Sequence, residues 1–203
     1  MKIQNKRLVR AVQLGNIDKV RQLLKLNPDL NLLDDSDMPL IMWAIQERYL
    51  DIARLLVQNG ANPNSSAGDN TPLIYAASQN DIESLETLFS LGADINHKES
   101  SGTALHFACA YENKEAADWL IKHRADVDAT DNDGRTPIFF AIEAENLDLV
   151  KLLLSNGARV NLLDKEGISP LDTANSTLAK AVQKIQSIVD AIKSANLTST
   201  ADR

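Results

Sequence analysis

Few side chains in this sequence stand at the spacings that chemistry demands. His106 and Cys109 are three residues apart, the one His/Cys pairing at metal-ligand spacing, but a zinc centre takes about four ligands and His97 and His123 add no second pair. Glu143 and Glu145 come nearest to a carboxylate pair for acid–base work, and on this sequence they read as a solvated face. No nucleophile stands beside a base, and no glycine-rich loop is built to cradle phosphate. The expectation is therefore no catalytic residue, no metal, no cofactor and no enzyme activity; a ligand held at His106, Glu143 and Glu145 would reopen the question. Cys109, the single cysteine, excludes an intramolecular disulfide and reads as a small core hydrophobe rather than a reactive thiol.

The elements that carry these side chains repeat. NGANPN at 59–64, LGADIN at 91–96 and NGARVN at 156–161, with a degenerate HRADVD at 123–128, place Ala61, Ala93, Ala125 and Ala158 at intervals of 32, 32 and 33 residues. A fixed period of this length marks a stacked solenoid, which presents a long open surface and no enclosed catalytic pocket. A second beat runs in step: Pro39, Pro72, Ala104, Pro137 and Pro170, four of them preceded by Thr71, Thr103, Thr136 and Ser169. A hydroxyl at the N-cap accepts a bond from an orphan amide and proline suits the first helical position, so each marks a helix start; Met38 before Pro39 predicts the least firmly capped one. Gly60, Gly92 and Gly157 end the second helix of each unit in a left-handed conformation, which Arg124 must adopt once. Ile138, Ala141 and Ile142, then Leu147, Val150, Leu153 and Leu154, predict two short amphipathic helices per unit. Turns at Asn80-Asp81 and Glu145-Asn146 are tight enough to make them antiparallel neighbours.

Asp131-Asn132-Asp133-Gly134-Arg135-Thr136-Pro137, followed by Leu149-Val150-Lys151-Leu152-Leu153-Leu154 and Asn156-Gly157-Ala158, resembles the ankyrin repeat almost position for position. Thr103-Ala104-Leu105-His106 is similar to that family's TPLH helix opening. The resemblance implies an all-α solenoid of stacked antiparallel helix pairs with β-turn fingers projecting from one edge. It implies a single domain over 1–195, with repeats near 5–32, 33–65, 66–97, 98–130 and 131–163, a divergent cap at 164–195 and a loose tail at 196–203. His106 would hydrogen-bond with Thr103 and neighbouring backbone. Two departures carry expectations of their own. The fingers entering repeats two, three and four are one residue shorter than those entering five and six, counted from Asn31 to Pro39, Asn64 to Pro72 and Asn96 to Ala104 against Asp128 to Pro137. Pro39 to Gly60 spans 21 positions where the other units span 20, which predicts a bulge or extra turn around Ile41-Met42-Trp43.

Composition fits one continuous core, with 44% hydrophobic and 24% charged residues in 203. No apolar run approaches the ~18 residues that a membrane span needs. The basic start lacks the apolar stretch of a secretory signal and points to the cytoplasm, although removal of an export signal would leave the same sequence. Charge is uneven: residues 1–28 hold seven basic side chains against one acid, and residues 65–161 hold 7 against 16. The plain reading is solubility and a polar cap; the sharper one is an acidic middle that steers the basic patch of a partner inward. A formal net charge of −7 argues against nucleic acid.

Aromatics recur at one register, Trp43, Tyr75, Phe107 and Phe140. They read as packing between stacked helices, with ring edges on the concave side as the alternative. Tyr111, at the exposed end of an inner helix, is the better anchor, and Tyr49 a weaker one. Leu8, Val9, Ala11, Val12, Val20, Leu23 and Leu24, with Lys6, Arg10, Lys19 and Arg21 outward, form a polar first cap. Leu178, Val182, Ile185, Ile188, Val189 and Ile192 trace a helix of about 177–194 that closes the stack, with dimerisation as its alternative role.

The resemblance further implies a non-catalytic protein that grips a folded protein partner in its concave groove, as a monomer, with no membrane involvement. By surface position, the contacts fall on the fingers at Asp35, Asp37, Asn70, Asp131, Asp133, Arg135 and Glu166, and on the inner-helix ends at Gln46, Glu47, Gln79, Tyr111, Glu112 and Glu143. A solenoid with no further domain acts by occupancy. Masking an enzyme, including in a self-protection role, is the specific expectation, and a bridging adaptor or secreted effector scaffold is its competitor.

Overall fold

The computed structural model describes residues 3–181 and 183. Ten short helices are placed among them: α1 (Ile3–Gln13), α2 (Ile17–Leu24), α3 (Leu40–Gln46), α4 (Leu50–Gln58), α5 (Pro72–Ser78), α6 (Ile82–Ser90), α7 (Ala104–Ala110), α8 (Lys114–Lys122), α9 (Pro137–Glu143) and α10 (Leu147–Ser155). Residues 170–181 form a further helix, α11. Odd-numbered helices pack on odd and even on even, and each pair also packs internally, so the chain builds two layers. Small buried side chains at Ala44, Ala76, Ala77, Ala108, Cys109 and Ala141 let the inner, odd-numbered helices approach closely. Leu40, Ile41, Ile52, Leu56, Leu85, Leu88, Leu105, Leu120, Leu149 and Leu153, all buried, fill the seam between the layers.

The local rules read from the sequence explain most element boundaries. Thr71 accepts the amide of Ile74 at 3.2 Å as α5 begins, and Asn16, Asp81 and Asn146 do the same for outer helices. Gly60, Gly92 and Gly157 close outer helices at φ of 103°, 87° and 90°, and Arg124 takes 71° in their place. Inner helices stop at Arg48, Asn80, Glu112 and Glu145, each with φ between 53° and 60°. There the next amide bonds back to Ala44, Ala76, Ala108 or Ala141, which closes the last turn and reverses the chain. One cap departs from expectation. α3, which follows Met38 and Pro39, lacks a side-chain cap bond as expected, but α9 lacks one too, and the Thr136 hydroxyl is buried without a partner among the described residues.

Pro39 corrects the register of repeat two. It is the N-cap of α3, with extended ψ of 148°, and Leu40 is the first helical residue. The helix is then seven residues long like α5, α7 and α9, and no bulge occurs at Ile41-Met42-Trp43. The extra residue lies in the finger, so the finger entering repeat two belongs with the longer ones. The expected residues beyond Gln183, Ile185, Ile188, Val189 and Ile192 among them, and Val182 lie outside the described residues, as does the 196–203 tail.

The fingers come in two builds. Those entering repeats two, five and six each turn around one aspartate. Asp34 Oδ1 accepts the amides of Ser36 and Met38, Asp131 Oδ1 those of Asp133 and Arg135, and Asp164 Oδ1 those of Glu166 and Ile168. Those entering repeats three and four are two-residue hairpins closed by backbone pairs, Ala67 with Asn70 and Glu99 with Gly102. Below them a ladder of Asn31, Asn64, Asn96 and Asp128 accepts an amide from the next repeat at 2.7–2.9 Å, at Asn62, Asp94, Asp126 and Arg159.

Candidate protein-binding face

His106 ties the middle of the stack together. It is the third residue of α7, and its Nδ1 accepts the Thr103 amide at 3.0 Å. That leaves Nε2 as the protonated nitrogen, and it donates to the Arg135 carbonyl of the next repeat at 3.0 Å. The expected Thr103 bond is thus present, and a second bond to the following finger accompanies it. Burial, the dominant cause, holds the ring below the ordinary histidine range and keeps it neutral. Gly102 makes room for it, since a Cβ there would lie 2.6 Å from the imidazole Cγ. Cys109, one turn further, is fully buried with its thiol pushed up to about 12 by desolvation, so it is inert core as expected.

Arg135 continues the network outward. Its Nε bonds Asp131 at 3.1 Å, its guanidinium lies 4.4 Å over the Phe140 ring and its Nη1 is 3.8 Å from Glu143. The Phe140 ring also meets His106 edge-on at 5.5 Å. Asp131, expected as a fingertip contact, is 3% exposed: both carboxylate oxygens are spent on its own finger, and it is removed from the contact surface. In repeat two Asp34 does the same work through a different donor, accepting Trp43 Nε1 at 2.7 Å.

Between α7 and α9, under the finger entering repeat four, the inner face opens into a cleft of about 250 Å³ lined by Ser101, His106, Phe107, Ala110, Tyr111 and Phe140. Tyr111 is 60% exposed at its rim. The four ladder aromatics Trp43, Tyr75, Phe107 and Phe140 are all half-buried, packed on the core with part of each ring left open. The periodicity that placed them in the sequence was the signal for the cleft walls, which the list of expected contacts omitted.

The remaining expected positions spread along the same edge. Tyr111, Arg135 and Glu143 are gathered around the cleft. Gln46, Glu47 and Gln79 occupy corresponding helix ends in repeats two and three. Asp35, Asp37, Asp133 and Glu166 are exposed on their fingers, Asp35 3.8 Å from Lys6. Asn70 is half-buried at the base of its hairpin, with Oδ1 unpartnered. Glu112 accepts a bond from Asn146 Nδ2 at 3.3 Å and so serves the contact between turns. The anchoring aspartates Asp34 and Asp164 were missed, although each stands five residues before the residue that precedes or caps its helix, as Asp131 does. Among the described residues no helix is long and apolar enough to cross a membrane.

The family model described as ankyrin repeats (3 copies) matches residues 8–99 and again 97–164. A fowlpox virus (strain NVSL) protein named for its ankyrin repeats is 35% identical over 164 residues, 80% of this chain and 18% of the relative. Alpha-latrocrustotoxin-Lt1a of Latrodectus tredecimguttatus is 30% identical over 159 residues, 78% of this chain and 9% of its own. Palmitoyltransferase Hip14 of Drosophila melanogaster is 31% identical over 85 residues, 41% of this chain and 13% of the enzyme. The chain spans less than a fifth of the length of each, and the shared part is the repeat array.

Proposed function

Because the chain belongs to the ankyrin-repeat family, whose stacked helix pairs serve as scaffolds for protein–protein interaction and are generally non-catalytic, we propose that its concave face binds one folded protein and masks it. The observation that carries this reading is the cleft between α7 and α9, where Tyr111 stands exposed beside the open edges of Phe107 and Phe140. An aromatic anchor over a small apolar cleft, with charge at its rim, is the usual build of an interface hot spot. Glu143, beside the Arg135 that covers Phe140, the exposed fingertip Asp133 and the acidic excess of residues 65–161 favour a partner that brings a basic patch around an apolar knob. Rigid inner helices hold these groups before a partner arrives, which limits the ordering cost of association.

The reading is tested by affinity capture from the native cell with the wild-type chain and with a Tyr111→Ala, Asp133→Ala, Glu143→Ala triple variant. The triple variant is expected to retain its fold and to weaken capture by about thirtyfold or more, since hot-spot losses of ~2 kcal/mol are typical. Unaltered capture discards the site. Stoichiometric suppression of a captured enzyme supports masking, whereas two partners held with unchanged activity identifies an adaptor.

A further inference from the structure

The polar side chains that line the cleft between α7 and α9 are already engaged, with one exception. His106 uses Nδ1 on the Thr103 amide and Nε2 on the Arg135 carbonyl, each at 3.0 Å. The Ser101 hydroxyl donates to Asp69 at 2.7 Å. The Tyr111 hydroxyl alone has no partner among the described residues. The charges that act on the His106 wall are Asp131, Lys98 and Arg135, and each is matched in place. Arg135 bonds Asp131 at 3.1 Å and lies 3.8 Å from Glu143, while Lys98 donates to the Asp131 carbonyl at 3.4 Å. A charged guest therefore finds no unmatched counter-ion there, and its desolvation would go uncompensated.

What the lining offers instead is rings. Phe107, Tyr111 and Phe140 wall the cleft, with Ala110 among them. The Phe140 ring already carries a cation, because the guanidinium of Arg135, itself outside the lining, lies 4.4 Å from its centroid. A partner's ammonium on the opposite face would stand about twice that distance from the guanidinium, roughly one Debye length, and be repelled by it. A neutral ring meets no such repulsion, and aromatic pairs gain from edge-on or offset contact beyond the area they bury. The His106 ring meets Phe140 in that way, at 5.5 Å and 84°. Size points in the same direction. At about 250 Å³ the cleft is smaller than the roughly 300–1,000 Å³ of a small-molecule pocket, yet a cavity of about 150 Å³ already holds benzene. It has room for one large side chain.

We propose that the cleft receives a single neutral aromatic side chain of the protein partner, seated among Phe107, Tyr111 and Phe140, with the Tyr111 hydroxyl free to bond a polar group at the edge of that ring or on the backbone that carries it. The inference rests on the reading of this cleft as the docking point and names what enters it. Asp133 and Glu143 then serve the contacts around the ring, and the basic patch they favour lies outside the cleft.

NMR titration of the full chain with N-acetyl-tryptophanamide, N-acetyl-leucinamide and N-acetyl-lysinamide tests it without the partner in hand. The tryptophan compound is expected to shift the Phe107, Tyr111 and Phe140 ring resonances and the Ala110 methyl, with a millimolar Kd about fivefold tighter than the leucine compound. The lysine compound should give no saturable shift. Ala110→Leu fills the cleft from an exposed position and should abolish the response with the circular dichroism of the repeats retained. Arg135→Gln vacates the Phe140 face and should admit the lysine compound. The proposal is overturned by a leucine compound that binds as tightly as the tryptophan one, by a lysine compound bound to the wild type, or by silence of the cleft toward all three. A tryptophan response that survives Ala110→Leu, or continued exclusion of lysine by Arg135→Gln, overturns it equally. Weakened capture by the triple variant together with no ring preference keeps the docking reading and discards this inference alone, whereas unaltered capture removes both.

Discussion

The fingers entering repeats five and four are neighbours in space and opposites in construction. The first carries its own anchor: Asp131 points inward, fastens two amides of its own loop and holds Arg135 against Phe140. The second is a hairpin with no such residue, steadied from outside by the Ser100 and Ser101 hydroxyls on Asp69 of the preceding finger and by the Asn132 amide on the Ser100 carbonyl. One finger is held by what it contains and the other by what surrounds it. The candidate cleft lies at their junction, with Ser101 at one margin and Phe140, under Arg135, at the other. A rigid wall beside a wall braced only by its neighbours suits a surface that must stay open yet adjust locally when a partner docks.

The contrast is broken most severely by Asp131→Ala. Two amides and a half-buried guanidinium lose their acceptor together, and urea unfolding should show a loss of about 3 kcal/mol. Asp69→Ala in the hairpin partner removes only exposed contacts and should change the unfolding midpoint little. An equal loss at both sites would erase the distinction. Next comes Gly102→Ala, which meets both a φ of 109° and the His106 ring, and is expected to cost about 2 kcal/mol; if thermal unfolding is unchanged, the hairpin is looser than its geometry indicates.

Acidification sharpens the comparison by acting on the link between the two fingers. His106 is depressed by burial, so below about 6.5 the unfolded chain takes up a proton that the folded ring refuses. Stability is complete above that pH and declines as pH falls toward the folded value, by up to about 1.4 kcal/mol per pH unit. His106→Gln should be weaker at neutral pH and lack this slope in pH-dependent urea titrations. A smaller loss than that at Asp131 or Gly102 is expected of Trp43→Phe, which removes the indole donor to Asp34 and should cost about 1 kcal/mol. In that variant the acid transition should shift upward. Asp34 is raised by burial but held below the usual carboxylate range by Met38, Trp43 and Ser36, and its stabilisation is lost as pH falls below 3.8.

Much of the fold was legible because its determinants are local. Glycines at 60, 92 and 157 and threonine at 71 act within one turn of where they stand, and each acted as read. Pro39 was misread because proline suits the N-cap's extended backbone as well as the first helical position, and spacing alone does not separate the two. The site was half legible. Tyr111 could be placed at an exposed helix end from register, but Asp131 and Asp133 are two residues apart in one polar loop, and nothing in their chemistry says which turns inward.

By itself the sequence determined the period, the helix pairs, the turn residues and the family, since these follow from backbone preferences and from apolar spacing that repeats every 32 or 33 residues. The tertiary structure decided which of the chemically similar surface groups remain surface. It turned Asp34 and Asp131 into scaffold and left the edges of Phe107 and Phe140 open. The reason is physical: burial is a property of what the next repeat places alongside, and a single unit's residues do not contain it.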